Sequence, residues 1–214
     1  MASSPAKPLV VLAAGGTGGH VFPAEALAAE LSSRGCQLAL VTDRRGGDLS
    51  GRLGELETHR ICAGGIAGKG VFACILSAIE LTVGTVQAWF LLRRLKPAVV
   101  VGFGGYASVP TMLAAAYSGT KAAIHEQNAV LGRANRMLAS RVETIATSFE
   151  KVSEIPENVK SNIIVTGMPV RPAVTTVRDR AYPAISSEGD INLAVFGGSQ
   201  GAHIFSVVVP DAMK

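Results

Sequence analysis

The chain has 214 residues, a mass of 22.1 kDa and a net charge of +4, from 20 Lys and Arg against 16 Asp and Glu. Hydrophobic residues at 48% and charged residues at 17% exclude an intrinsically disordered chain and supply ample material for a core. The small positive surplus does not by itself imply nucleic acid, and the length falls between one domain and two on a prior of ~150 residues per domain.

Short β-branched apolar runs alternate with longer helical patterns along the chain. Residues 9–14 read as a buried strand, followed by a Gly-rich turn. A helix over about 22–33 comes next, with Pro23 in its first turn and Gly35 as its stop. Strand 37–42, a short helix 48–56 and strand 58–62 precede a long helix over 71–95 that ends before Pro97. The run AVVVG at 98–102 is the clearest buried strand. A helix near 110–117, strand 122–125, a helix near 131–138, strand 144–147 and strand 162–166 complete this part. Strands apolar throughout, with helices between them, predict a parallel sheet covered on both faces, a doubly wound α/β domain.

Residues 167–190 hold three prolines and mixed charges and read as a linker. Then 191–196 reads as another buried strand, followed by GGSQGA and a helix running to the end. The expected organisation is a first domain over 1–166, a linker over 167–190, and over 191–214 the opening βα unit of a second, related domain. Cys36, Cys62 and Cys74 form no CxxC pair and no even set, so neither a disulfide framework nor a structural zinc site is expected. The N-terminal run lacks a signal-peptide pattern, and a cytoplasmic setting is expected.

Residues 72–92 carry one charge, Glu80, and are followed by Arg93, Arg94 and Lys96, a length and flank that also fit a membrane span. Glu80 lies near the midpoint, where a carboxylate costs roughly 2.5–3.5 kcal/mol on insertion scales. Phe72, Ile75, Leu76, Ile79, Val83, Val86 and Phe90 recur at helical spacing. The expectation is a soluble-domain helix with one strongly apolar side, either core or in contact with a bilayer.

In a doubly wound sheet, ligands bind outside the carboxyl ends of the strands. Four turns leaving those ends are unusual: Gly15-Gly16-Thr17-Gly18-Gly19-His20, Phe103-Gly104-Gly105-Tyr106, His125-Glu126-Gln127-Asn128 and Gly197-Gly198-Ser199-Gln200-Gly201. A Gly-rich turn entering a helix presents unpaired N–H groups and a positive dipole end, which suits phosphate. Three such turns favour phosphate binding over glycines that merely permit tight turns. GxxxxGK[ST] is absent, and Gly15, Gly16 and Gly18 do not complete GxGxxG, so Asp43 after the second strand supports a nicotinamide site only weakly. His20 stands amid little side-chain bulk, and a histidine near its ordinary pKa of ~6.5 can accept a proton from a hydroxyl. His125 reads as a structural hydrogen-bonder, and Glu126 as a group that orients a partner or holds a sugar hydroxyl. No HxH, HExxH or DxD pattern points to a metal.

These turns, in this order, resemble the MurG family of bacterial glycosyltransferases. The segments are GGTGGHVFPA (15–24), GFGGYASVP (102–110), HEQNAVLGRANR (125–136), TGMPVR (166–171) and FGGSQGA (196–202). The resemblance implies a GT-B fold of two Rossmann-like domains. It also implies inverting, metal-independent transfer of N-acetylglucosamine from UDP-GlcNAc to the C4 hydroxyl of lipid I, giving lipid II for peptidoglycan, without a cofactor. By matching position, Thr17, Gly18, Gly19, Asn128, Arg171, Ser199 and Gln200 would contact the sugar nucleotide. Gly15, Gly16, Gly104, Gly105 and Tyr106 would hold the acceptor and its diphosphate. His20 would be the general base, with Glu126 beside it as a second catalytic group. Lipid I stays in the membrane, so a peripheral contact at the cytoplasmic face of the inner membrane follows. Residues among Val71, Phe72, Ile75, Leu76 and Ile79 would make it, with Lys69, Arg93, Arg94, Lys121 and Arg141 around them.

Two features depart from the family pattern. Met168 stands where the family usually has Asn, and the chain stops one βα unit into the donor domain, so alone it is expected to be inactive. The competing readings are another GT-B glycosyltransferase with a different acceptor, and a non-enzymatic nucleotide- or membrane-binding module.

Overall fold

A computed structural model describes residues 7–44, 51–64, 71–181, 193–197 and 203–213, with backbone alone at 71 and 72. The chain divides into two compact units, Met1–Thr175 and Thr176–Lys214.

The first unit is built on seven parallel strands: β1 (Leu9–Ala13), β2 (Gln37–Asp43), β3 (Glu57–Ile61), β4 (Val99–Gly102), β5 (Ala122–Glu126), β6 (Thr144–Thr147) and β7 (Asn162–Val165). Their spatial order is β3-β2-β1-β4-β5-β6-β7. The order reverses between β1 and β4, paired in register from Val10↔Val99 to Ala13↔Gly102, and such a reversal opens a crevice at the carboxyl ends. The predicted doubly wound parallel sheet is therefore present.

Both faces of the sheet are covered, which is why the central strands read as unbroken apolar runs. Val10, Leu12 and Ala14 turn to one face, where they meet Ala24 and Ala28 of α1 (Gly18–Ser33) together with Leu40 and Phe103. Val11 and Ala13 turn to the other. There they join Ala88 and Leu92 of α2 (Val71–Leu95), Val109 and Met112 of α3 (Gly105–Ser118), and Leu138 of α4 (Arg133–Leu138). β7 lies at the sheet edge and is exposed throughout.

α2 matches its predicted span, and only one of its sides is core. Ser77, Gly84, Ala88 and Leu92 are buried, whereas Ile75, Leu76, Ile79, Val83, Val86 and Phe90 are 42–63% exposed. By length and composition alone α2 could cross a membrane, but its other side packs on α3. Gly84 makes that packing close: a Cβ there would overlap the Cys62 carbonyl and lie 3.2 Å from Pro110 Cβ.

Several predicted boundaries shift. α1 begins at Gly18, four residues before the expected start, because the amides of His20 and Val21 both donate to Thr17 O (3.0 and 3.1 Å). His20 thus sits in the first turn of a helix, not in a loop. α3 begins at Gly105, with Pro110 inside it. Gly104 at φ +83° and Gly105 at φ +70° let the chain turn straight from β4 into the helix. The helix expected over 48–56 is a 3₁₀ turn at Gly51–Glu55, with 45–50 outside the described residues. Within the predicted linker, Pro172–Thr175 forms a one-turn helix, α5.

In the second unit, α6 (His203–Ala212) has no buried residue. The strand expected over 191–196 is absent from its described part: residues 193–197 adopt no ladder. A strand needs a neighbour for its N–H and C=O groups, and these residues have none among the described ones.

Candidate functional site

The register of β1 and β4 brings the two first-domain glycine corners together at one rim of the sheet. Phe103 N donates to Ala13 O at 3.0 Å. The next residues place the Gly104–Gly105 backbone against His20. A Cβ on Gly104 would stand 3.3 Å from His20 Cε1, and one on Gly105 3.0 Å from His20 Cδ2 and 3.3 Å from Gly15 O. Glycine at both positions is what lets the imidazole lie on the β4–α3 turn. Gly15 is equally constrained, since a Cβ would come 2.6 Å from Thr42 Oγ1.

Beside His20 opens a cavity of about 300 Å³, lined by Gly104, Gly105, Tyr106, Glu126, Asn128 and Asn135 among others. Two helices begin at its edge. Thr17 caps α1 and Gly104 caps α3, and neither places a side-chain oxygen on the first-turn amides. Both helix N-termini therefore keep donors and a positive dipole end for an anion.

Glu126 forms the floor and is 2% exposed. Its Oε1 accepts from Asn128 N (3.0 Å) and Asn128 Nδ2 (2.9 Å), and its Oε2 from Gly132 N (2.9 Å) and Asn135 Nδ2 (2.8 Å). A carboxylate has about four lone-pair sites, and all are taken. This arrangement holds the 126–135 loop in place and leaves no lone pair for proton transfer. The geometry thus favours a scaffolding carboxylate over the catalytic role expected of Glu126. Asn135 Nδ2 also donates to His125 O at 3.1 Å, while its buried Oδ1 has no partner among the described residues. Asn135 lines the cavity, yet nothing in its local sequence singled it out.

A second cavity, about 240 Å³, lies on the other side of the α1 N-terminus, between Gly18, Gly19 and Phe22 and residues 168–171 and 174. The Arg171 guanidinium covers the Phe22 ring at 3.9 Å from its centroid, a cation–π contact. Ser148 Oγ lies 3.8 Å from Met168 Sδ. The expected sugar-nucleotide residues thus divide: Gly18, Gly19 and Arg171 share this cavity, Thr17 caps α1 between the two, and Asn128 lines the first. Ser199 and Gln200 lie outside the described residues. Gly16, exposed at φ +90°, forms the turn before Thr17.

His125 is 4% exposed, with Nε2 3.2 Å from Gly167 O. Burial depresses its pKa below the ordinary 6.5, opposed by the Gly167 hydrogen bond and the Glu126 charge. It is the structural hydrogen-bonder predicted. Gln127, absent from the predicted site, joins it to His20: its side chain contacts both rings. Among the described residues no group of three or more His, Cys, Asp or Glu side chains could hold a metal ion.

Comparison with known proteins agrees with this architecture. The model of the glycosyltransferase family 28 N-terminal domain matches residues 10–147. A Paramagnetospirillum magneticum protein named UDP-N-acetylglucosamine–N-acetylmuramyl-(pentapeptide) pyrophosphoryl-undecaprenol N-acetylglucosamine transferase is 59% identical over 207 residues, 97% of this chain and 56% of that protein. The Rhodospirillum rubrum protein of the same name is 55% identical over 204 residues, 95% of this chain and 52% of that protein. The chain spans about half the length of these relatives. The crystal structure of Acinetobacter baumannii MurG matches with a TM-score of 0.69 at 29% identity, over 96% of this chain and 57% of that one. A Staphylococcus aureus MnaA–UDP structure, at a TM-score of 0.58 and 14% identity over 83% of this chain and 49% of that one, shares the fold alone. The sheet and its helices are those of a GT-B Rossmann-like domain, and the chain belongs to glycosyltransferase family 28.

Proposed function

We propose that this chain supplies the acceptor-binding half of an inverting transferase that moves N-acetylglucosamine from UDP-GlcNAc to the C4 hydroxyl of lipid I. The observation that carries the reading is the convergence of the 15–20 and 102–106 corners on His20 at the edge of a cavity. The names of the relatives support the choice of donor and acceptor.

Inversion needs one in-line displacement at the anomeric carbon, with a base on the attacking hydroxyl and stabilisation of the leaving diphosphate. His20 takes the proton of the acceptor hydroxyl. The N-termini of α1 and α3, with Gly15, Gly16, Gly104, Gly105 and Tyr106, hold the acceptor diphosphate through backbone amides. Thr17, Gly18, Gly19, Asn128 and Arg171 face the donor, with Ser199 and Gln200 completing the set. Arg171 and the helix dipole oppose the charge that develops on the leaving UDP. Glu126 keeps the loop rigid by accepting four hydrogen bonds. Residues 1–166 act as the acceptor domain, 167–190 as a linker and 191–214 as the start of the donor domain.

The same reading gives the exposed side of α2 a purpose. Ile75, Leu76, Ile79, Val83, Val86 and Phe90 form an apolar stripe, and Arg93, Arg94, Lys121 and Arg141 are exposed as well. Together they suit a peripheral contact with an anionic leaflet at the cytoplasmic face, where a polyprenyl-linked acceptor resides. Val71, Phe72 and Lys69 belong to the same proposal, although their side chains lie outside the described residues.

The test is turnover by a chimaera joining residues 1–214 to the remaining length of the Paramagnetospirillum relative, with UDP-GlcNAc and a lipid I analogue. Formation of a lipid II-type product is expected, and its absence at saturating donor overturns the substrate assignment. His20→Ala should lower kcat by roughly 10²–10⁴ with the donor KM little changed; equal activity removes His20 as the base.

A further inference from the structure

Gln127 is 6% exposed and sits between the two histidines of the site. The way its amide faces is settled by its neighbours. Nε2 lies 3.0 Å from Phe103 O and 3.2 Å from His125 O, and a carbonyl oxygen can only accept. The NH₂ group therefore occupies that side, and Oε1 is the atom 3.3 Å from His20 Nδ1. An amide oxygen also only accepts, so the hydrogen of this contact belongs to His20 Nδ1.

The far end of the network has the same polarity. His125 Nε2 faces Gly167 O at 3.2 Å and must donate to it. In the neutral ring Nδ1 is then bare, and it lies 3.2 Å from Gln127 Nε2, whose two hydrogens it shares with the Phe103 and His125 carbonyls. The depressed basicity of buried His125 keeps that ring neutral. Every hydrogen then points one way: from His20 to Gln127, from Gln127 to His125, and from His125 to the Gly167 carbonyl.

We propose that Gln127 is a positioning residue that holds His20 in the Nδ1–H tautomer, leaving Nε2 as the only nitrogen able to take a proton. The proposal rests on the reading of His20 as the base. Free histidine side chains favour the opposite, Nε2–H tautomer, in which the basic nitrogen would be Nδ1, turned toward Gln127. In the transfer, the hydroxyl O–H bond breaks, its proton forms a bond to Nε2, and the oxygen pair attacks the anomeric carbon as the C–O bond to UDP breaks. Through this step Nδ1–H continues to donate to Gln127 Oε1, so a carbonyl dipole stabilises the imidazolium at Nδ1. The role parallels that of the carboxylate orienting a histidine in a hydrolase triad, with an amide in its place.

The test reads the tautomer directly by ¹⁵N NMR of the 214-residue chain labelled at histidine. His20→Ala identifies the His20 signals among the four histidines. The unaltered chain should show neutral His20 with a protonated Nδ1 and a bare Nε2; the reverse pattern overturns the proposal whatever any variant does. Gln127→Leu should release the ring toward Nε2–H and, in the chimaera, lower kcat by about 10- to 100-fold with the donor KM within a few-fold. An unchanged tautomer and kcat in Gln127→Leu removes this inference while leaving His20 as the base. Full turnover by His20→Ala removes the base and this inference's catalytic role together, whereas the tautomer measurement still reports the hydrogen-bond geometry.

Discussion

Replacing Gly105 by Ala tests the contact on which the site depends. Gly105 adopts φ +70°, and a Cβ there would stand 3.0 Å from His20 Cδ2 and 3.3 Å from Gly15 O. The left-handed conformation costs an L-residue roughly 1–2 kcal/mol. Restricting the unfolded chain returns about 0.4–1 kcal/mol. The net loss is then about 1 kcal/mol, and Tm should fall by about 2–4 °C for a protein of this size. Ordinary contact at 3.4–4 Å requires the imidazole to retreat by about 0.4–1 Å. The His20–Gln127 hydrogen bond, already 3.3 Å long, does not survive such a shift. A misplacement of about 1 Å costs on the order of 10²-fold in rate, so the chimaera should lose about 10- to 100-fold in kcat. Thermal unfolding of the 214-residue chain and turnover by the chimaera are the assays. A variant with unchanged Tm and unmoved His20 NMR signals would refute the packing argument.

Four other predictions follow from the same structure. Gly84→Ala gains about 1 kcal/mol of helix propensity, but the Cβ strikes the Cys62 carbonyl at an overpacking cost of about 1–3 kcal/mol; a lower Tm is expected, and an equal or higher one contradicts the close approach of α2 to Cys62. Glu126→Gln sets an NH₂ group against two of the donors that Glu126 now accepts, and denaturant titration should show a loss of at least about 2 kcal/mol. Stability should decline as pH falls below about 6.5, because the unfolded chain binds a proton that buried His125 resists. The decline ends below the depressed folded-state pKa, and urea titrations across pH should show a flatter slope in His125→Gln. Ile79→Glu, in the exposed stripe of α2, should lower co-sedimentation with phosphatidylglycerol vesicles at least about tenfold, since burying one Ile contributes about 1.5–3 kcal/mol; equal sedimentation removes the stripe from the membrane contact.

The sheet was legible in the residues themselves. AVVVG at 98–102 and LVVLAA at 9–14 are apolar at every position because both faces of a parallel sheet are covered, and that pattern needs no knowledge of neighbours. The glycine corners were equally readable, since a strand entering a helix at once requires residues without side chains. Three things only the tertiary structure decided. Pro23 and Pro110 placed the starts of α1 and α3 too late, because Thr17 and the positive φ of Gly104 and Gly105 set those starts instead. Helical periodicity marked one side of α2 as apolar without saying which apolar residues were core; α3 covers Ala88 and Leu92 and leaves Ile75, Ile79 and Phe90 exposed. Gln127 stands 107 residues from His20 in sequence and meets it only because β1, β4 and β5 are neighbours in the sheet. Local sequence dictates backbone preference and burial period, but a hydrogen bond between distant side chains exists only once strand order has brought them within about 3 Å.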